Sequence, residues 1–167
     1  MGIRVFHEKQ RFTQWWLWLI IIISFGLVLY KPIKLYLTAP NFSVNDLGEG
    51  LWIAIIVMVL VHFFLALCRL NTEIDEQGIR YQFFPFHRVP KRISWNDLES
   101  IYVRTYRPIS EYGGWGYRIG LSGRAYNVKG NQGIQLTLKT GKKLLIGTQK
   151  PEEAQQIINT YFKDERI

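Results

Sequence analysis

The residues from Glu111 to Gly130, EYGGWGYRIGLSGRAYNVKG, hold six glycines, Trp115, three tyrosines and three basic residues. Glycine beside cations is the composition of a phosphate-gripping loop, so that chemistry is tested first. A Walker loop needs G-x-x-x-x-G-K-[ST], whose backbone amides cradle phosphate while the lysine neutralises it. Gly141-Lys142 is followed by Lys143 and has no glycine five residues earlier. Gly114, Gly116 and Gly120 read GxGxxxG, one residue away from the dinucleotide fingerprint, and lack its parallel strand and helix context. The glycines therefore predict turns, bulges and close backbone approaches at the corner of a β-structure.

The remaining inventory argues against catalysis. No HExxH or GxSxG occurs, His7 and His87 have no ligand-spaced partners, and the acid pairs Asp75-Glu76 and Glu152-Glu153 sit at a turn and a helix start. Cys68 is the only cysteine, so neither a disulfide nor a thiolate zinc cluster can be built. It is either a buried bystander or a juxtamembrane palmitoylation site. No metal or other cofactor is expected, and the chain reads as non-enzymatic. Two sets of basic residues remain as candidate binding groups. Arg104, Arg118 and Arg124, with Arg107, can hold a phosphate or carboxylate if they converge, and are ordinary solvated charge if they do not. Arg88, Lys91 and Arg92 form a patch shortly after the second apolar run, where each cation adds about 1 kcal/mol against anionic lipid. Phe83, Phe84 and Phe86 beside it fit equally a core and a headgroup-dipping segment.

The elements that must position these groups are of two kinds. Thr13–Tyr30 and Leu51–Cys68 contain no Asp, Glu, Lys or Arg and show no polar stripe. As helices of 18 residues each rises about 27 Å, close to the thickness of a bilayer core. Trp15, Trp16, Trp18, Tyr30 and Trp52 mark their ends, where amphipathic rings favour the membrane interface. A cleaved signal peptide fits the first run less well, because Lys31 follows directly and no small-x-small cleavage site precedes the next segment. Arg4, Lys9 and Arg11 precede the first run, and Arg69, Arg80, Arg88, Lys91 and Arg92 follow the second. The segment between, Lys31–Gly50, holds only Lys31 and Lys34. The positive-inside rule then places both termini in the cytoplasm. His62 lies within the second run without an acidic or histidine companion in either, which favours a neutral ring bonded to the neighbouring helix over a proton relay.

Residues 1–70 are thus expected to be a tail and a two-helix transmembrane hairpin, and residues 71–167 a cytoplasmic domain. That domain has 15 Lys/Arg against 10 Asp/Glu, five of the chain's net +8. Its pattern is one of short alternating runs: a hairpin around Glu76-Gln77-Gly78 with Ile79, Tyr81 and Phe83 on one face, a short strand Arg92–Trp95, a strand Leu98–Thr105, and a hairpin turning at Thr140-Gly141. Pro151, with Glu152 and Glu153, opens a final helix whose stripe is Ala154, Ile157, Ile158 and Tyr161. About seven strands and one helix predict a small barrel or sandwich closed by the helix.

Two apolar spans followed by ISWNDLESIYV, GGWGYRIG, the hairpin IQLTLKTGKKLLIGTQKPEEA and a terminal helix resemble a bacterial membrane protein with a pleckstrin-homology-like (PH-like) domain. The most specific part is Gly141–Ala154. The resemblance implies a PH-like barrel capped by the C-terminal helix, residence in the bacterial inner membrane, and a binding or assembly role without catalysis. It departs from lipid-reading members at Asp75-Glu76-Gln77-Gly78, an acidic turn where they carry basic residues, so headgroup recognition at that turn is not implied. The expected partner is therefore a protein or a second copy, meeting the aromatic segment around Trp115. The alternatives are anionic lipid sensing by the basic sets and service as an accessory subunit of a membrane complex such as a transporter. Tyr102, Tyr106, Trp115 and Tyr117 lie near arginines in a way that could stack bases, but a membrane tether and modest charge argue against nucleic acid.

Overall fold

The computed structural model describes residues 5–39, 41, 43, 48–120 and 122–162. By contacts the chain divides into two compact units, Thr13–Leu67 and the residues before and after it. The first unit holds α1 (Trp15–Thr38) and α2 (Glu49–Leu67). Both helices are long and apolar enough to cross a membrane, and neither buries a residue within the protein. α1 continues eight residues beyond the expected end at Tyr30. Lys31 and Pro32 read as a stop signal, yet Ile33, Tyr36 and Leu37 continue the apolar surface and Pro32 is accommodated inside the helix. His62 turns its Nδ1 to the Met58 carbonyl of its own helix and its ring edge to Phe25 of α1, at 4.9 Å between centroids. Arg4 and much of the segment between the helices lie outside the described residues.

The second unit is built of β1 (Phe6–Arg11), β2 (Arg69–Asp75), β3 (Gly78–Phe84), β4 (Lys91–Ser94), β5 (Leu98–Thr105), α3 (Pro108–Tyr112), β6 (Gly116–Gly120), β7 (Gly123–Asn127), β8 (Gln132–Leu138), β9 (Lys143–Gly147) and α4 (Pro151–Tyr161). The strands form an antiparallel four-stranded sheet, β1-β2-β3-β4, and a five-stranded sheet, β5-β8-β9-β7-β6, in which only β7 and β9 run parallel. The expected barrel of about seven strands is corrected: the two sheets do not close into one, and each keeps two outer strands. The expected boundary at residue 70 also moves. Residues 6–11, assigned to a tail, pair in full register with β2 from Phe6↔Ile74 to Arg11↔Arg69. The helical hairpin is thus an insertion between two paired strands.

One core joins the sheets. Strand alternation turns Leu70 and Ile74, then Ile79, Tyr81 and Phe83, toward Ile134, Leu136, Leu144 and Ile146, and α4 adds Ala154 and Ile158 to the same cluster. The shared face of Ile79, Tyr81 and Phe83, the two sequence-read hairpins and the start of the last helix at Pro151 all stand as expected. On the outer face of the five-stranded sheet, Tyr106 and Tyr112 cover Ala125 and Leu145 in a second, small cluster.

β1 contributes Phe6 to the core but turns two polar residues inward as well. The Glu8 carboxylate, 5% exposed, accepts the Thr148 hydroxyl at 2.6 Å and the Gln149 amide at 2.8 Å, and Gln10 donates to the Gly147 carbonyl at 2.7 Å. Most buried polar groups in folded proteins are satisfied in this way. Glu8→Ala orphans two donors and is expected to destabilise this unit by about 1–3 kcal/mol. The outward-facing His7→Ala serves as the neutral control. The check is the denaturant midpoint of the detergent-solubilised full chain; equal midpoints for the two variants would count against it.

Candidate functional site

The glycine-rich stretch is a short helix followed by a hairpin. α3 opens on Pro108 and ends at Gly113, whose left-handed φ of 70° lets its amide reach the Ile109 carbonyl at 2.8 Å. β6 and β7 then pair from Gly116↔Asn127 to Gly120↔Gly123. At Gly123, φ is 105° and a Cβ would collide with the Lys143 carbonyl oxygen, so glycine is required for the hairpin to lie against β9. Turns and close approaches are what these glycines do, as the sequence predicts. Buried Asn127 ties the start of the hairpin together. Its Oδ1 accepts the Gly116 amide at 2.8 Å and its Nδ2 donates to the Tyr106 hydroxyl at 2.9 Å. Burial pushes the Tyr106 phenol up to about 12, with the Asn127 bond opposing it.

The arginines named for this region do not converge. Residues directly opposite in an antiparallel pair share a face, and Arg118 opposes Ala125 whereas Arg124 opposes Ile119. Arg118 and Arg124 therefore lie on opposite faces of the sheet. Arg104 is already occupied: its Nη2 meets Glu111 Oε2 at 2.7 Å, Nη1 meets Oε1 at 3.3 Å and Nε donates to Gln135 at 3.1 Å. The Glu111 carboxyl also accepts the Arg107 amide at 2.7 Å. The bond from Arg104 holds Glu111 below its usual range, and the same bond raises Arg104. Arg104 is a bracket between β5 and α3. Trp115 is half-buried and donates to the Gly130 carbonyl at 2.9 Å, while Arg118 donates through Nε to the Trp115 carbonyl at 2.9 Å.

The second basic set divides similarly. Arg92 pairs with Asp75 at 3.0 Å and donates to Gln77, whereas Arg88 and Lys91 are exposed and have no ion pair among the described residues. The three phenylalanines separate: Phe83 is core, Phe84 is half-buried under the Arg69 guanidinium at 4.9 Å, and Phe86 is 52% exposed. Cys68 is buried. No protein-family model matches this chain, and no curated protein matches it. Among the described residues no group of three His, Cys, Asp or Glu is placed to hold a metal ion.

Three features escaped the sequence. β1 shows only Phe6 as an apolar residue on its inner face, too little for a hydrophobic alternation. α3 is five residues long, below any periodicity. The β6–β7 hairpin was hidden by its glycines, although Tyr117 and Ile119 on one arm and Arg124 and Tyr126 on the other do alternate. A fourth feature is a cleft of about 610 Å³ between the β3–β4 hairpin and the tips of the β6–β7 and β8–β9 hairpins, where the two sheets fail to close.

His87 is also placed unexpectedly. It is buried, with its ring 4.9 Å from Tyr126 and 5.7 Å from Tyr81. Burial lowers its pKa below 6.5, and nearby Lys91 lowers it further. The unfolded chain then takes up this proton first as pH falls, so stability is full above about pH 6.5 and declines below it. The loss attached to Glu111 has the same sign but begins only near pH 4.5. We expect the unfolding midpoint of the full chain to drop between pH 7 and pH 5, and His87→Phe to flatten that drop; an unchanged slope in the variant would refute the assignment.

Proposed function

We propose that the chain is a non-enzymatic membrane-anchored module, in which a two-helix hairpin holds a PH-like β-domain at the inner face of a bacterial membrane and the domain binds a protein partner or a second copy. The anchoring is supported by two apolar helices that bury none of their residues in the protein. A strand pair cannot form across a bilayer, so the pairing of β1 with β2 requires both flanks of the hairpin to share one side, as two spans would deliver. Lys9, Arg11 and Arg69 on those flanks favour the cytoplasmic side.

The observation that carries the binding role is the outer strand β6. Among the described residues it has a hydrogen-bonded neighbour on one side only, and Ile119 on it is 70% exposed. α3 lies against β6 near Gly120, whereas the opposite outer strand β5 has an amide capped by α4, where Gln155 accepts the Val103 amide at 2.8 Å. Native proteins usually protect outer strands, and an unprotected one is a template for an added strand. Trp115 and Arg118 border that edge. A partner at β6 is compatible with service as an accessory subunit of a larger complex. Trp115→Ala and Arg118→Glu are expected to separate the full chain from its companion, or to halve its mass if the companion is a second copy, measured by light scattering after purification in mild detergent. Association that survives both changes would overturn the reading.

A second reading, anionic lipid sensing, is favoured by the loop between β3 and β4. There Phe86 is 52% and Val89 74% exposed, beside exposed Arg88 and Lys91. Apolar residues flanked by cations suit a segment that dips into headgroups. On this reading the loop amides gain hydrogen-exchange protection in nanodiscs containing phosphatidylglycerol over neutral ones. Arg88→Gln with Lys91→Gln removes about 2 kcal/mol of that preference. Equal exchange in the two lipids would eliminate it.

A further inference from the structure

The cations of the β-unit differ in whether a carboxylate faces them. Arg80, Arg92, Arg104 and Lys150 each have one within 3.3 Å. Arg124, Lys142 and Lys143 have no such ion pair among the described residues, and all three line the 610 Å³ cleft, whose lining contains no Asp or Glu. An isolated surface lysine is ordinary. Unpaired cations gathered at one concavity and set against aliphatic walls are a different arrangement.

The register explains how they come together. Arg124 opposes Ile119 across the hairpin and stands beside Leu144 in the parallel pairing with β9. It thus belongs to the same row as Tyr126 and Leu144, which face the core between the sheets. That row leaves the core at Arg124, at the mouth of the cleft, and the Tyr81 phenol lies near enough for the guanidinium to oppose the upward shift that burial imposes on it. Lys142 follows Gly141 at the β8–β9 turn, whereas Lys143 has the parity of Leu145, so its side chain leaves on the outer face and its backbone lies against Gly123. Ile93 of β4, Ile119 and Leu138 supply the walls, and Ile119 stays 70% exposed although it faces the inner side. The volume falls within the roughly 300–1,000 Å³ of small-molecule sites. A purely hydrophilic anion would leave the aliphatic walls wet, and a neutral lipid would leave the cations unanswered.

We propose that this cleft binds one anionic amphiphile, with its acyl chain against Ile93, Ile119 and Leu138 and its carboxylate or phosphate head held by Arg124 and Lys142. The site shares Ile119 with the partner edge, but its head group contacts Arg124 and Lys142 while the edge is tested at Trp115 and Arg118, so either can fail alone. The test uses the full chain in phosphatidylcholine nanodiscs and a palmitic acid carrying a terminal photoactivatable diazirine, with labelled peptides mapped by mass spectrometry. Labelling is expected on β6–β7 and β8–β9. In the R124Q/K142Q variant it should fall at least tenfold there while labelling of α1 and α2, the internal measure of partitioning, stays the same. If circular dichroism shows that the double variant is misfolded, K142Q on the exposed turn is read in its place. Displacement by palmitate alone assigns a free fatty acid, and displacement by lysophosphatidylglycerol assigns a membrane-derived lipid. Labelling confined to the helices, unaltered by charge removal, matched by the diazirine-bearing palmityl alcohol, or displaced by inorganic phosphate would overturn the proposal.

Discussion

The buried bonds from β1 to the segment after β9 are the constraint on which the β-unit depends. Glu8 and Gln10 come from the first strand of one sheet, and Gly147, Thr148 and Gln149 lie where the last strand of the other runs into α4. Each bond is of ordinary strength, but the groups are inaccessible to water, so losing one partner leaves the other uncompensated. The link holds the two sheets together at one side and orients the start of α4. From there Ala154 and Ile158 reach the core, and Gln155 reaches the outer strand β5. On the other side, among the described residues, no comparable link joins β4 to β6, and there the structure opens into a cleft.

Polar pairing also decides which charges are available for binding. Composition alone presents a surplus of arginines in the glycine-rich region and after the second helix. Arg104 and Arg92 are spent within the fold on Glu111 and Asp75, and strand parity sends Arg118 and Arg124 to opposite faces. What remains is a smaller and more definite set, Arg124 with Lys142, which sequence spacing gave no reason to group with it. Lys142 lies far along the chain from Arg124 and comes near it because β7 pairs with β9.

The sequence was most legible where one residue type has one physical reason. Alternating Ile, Leu and Phe residues located β2, β3, β5, β8 and β9, and Pro151 with two glutamates located the start of α4. Legibility failed where a strand faces the core with polar groups, as in β1, since the partners of Glu8 lie at the other end of the chain. It failed again at Lys31 and Pro32, where a charge and a proline stand inside a helix whose apolar surface continues beyond them. Barrel closure was likewise unreadable, because it depends on the distance between β4 and β6 and no local pattern encodes that. The candidate site suffered from the same gap: its residue types were visible, but their faces and neighbours were not.

The insertion of the helical hairpin between β1 and β2 has a consequence for how the chain is made. β1 precedes both helices and its neighbour β2 follows them, and the partners of Glu8 and Gln10 come about 140 residues later in the chain. Domains generally fold as units during synthesis, and this one cannot complete its sheet until the chain has passed through the helical hairpin. On the anchoring proposed above, a chain that threads only one helix leaves β1 and β2 on opposite faces of the bilayer and cannot assemble its core. Correct insertion is then a precondition of folding, and the sheet acts as a proofreader of membrane topology, leaving misinserted chains unfolded and open to proteolysis.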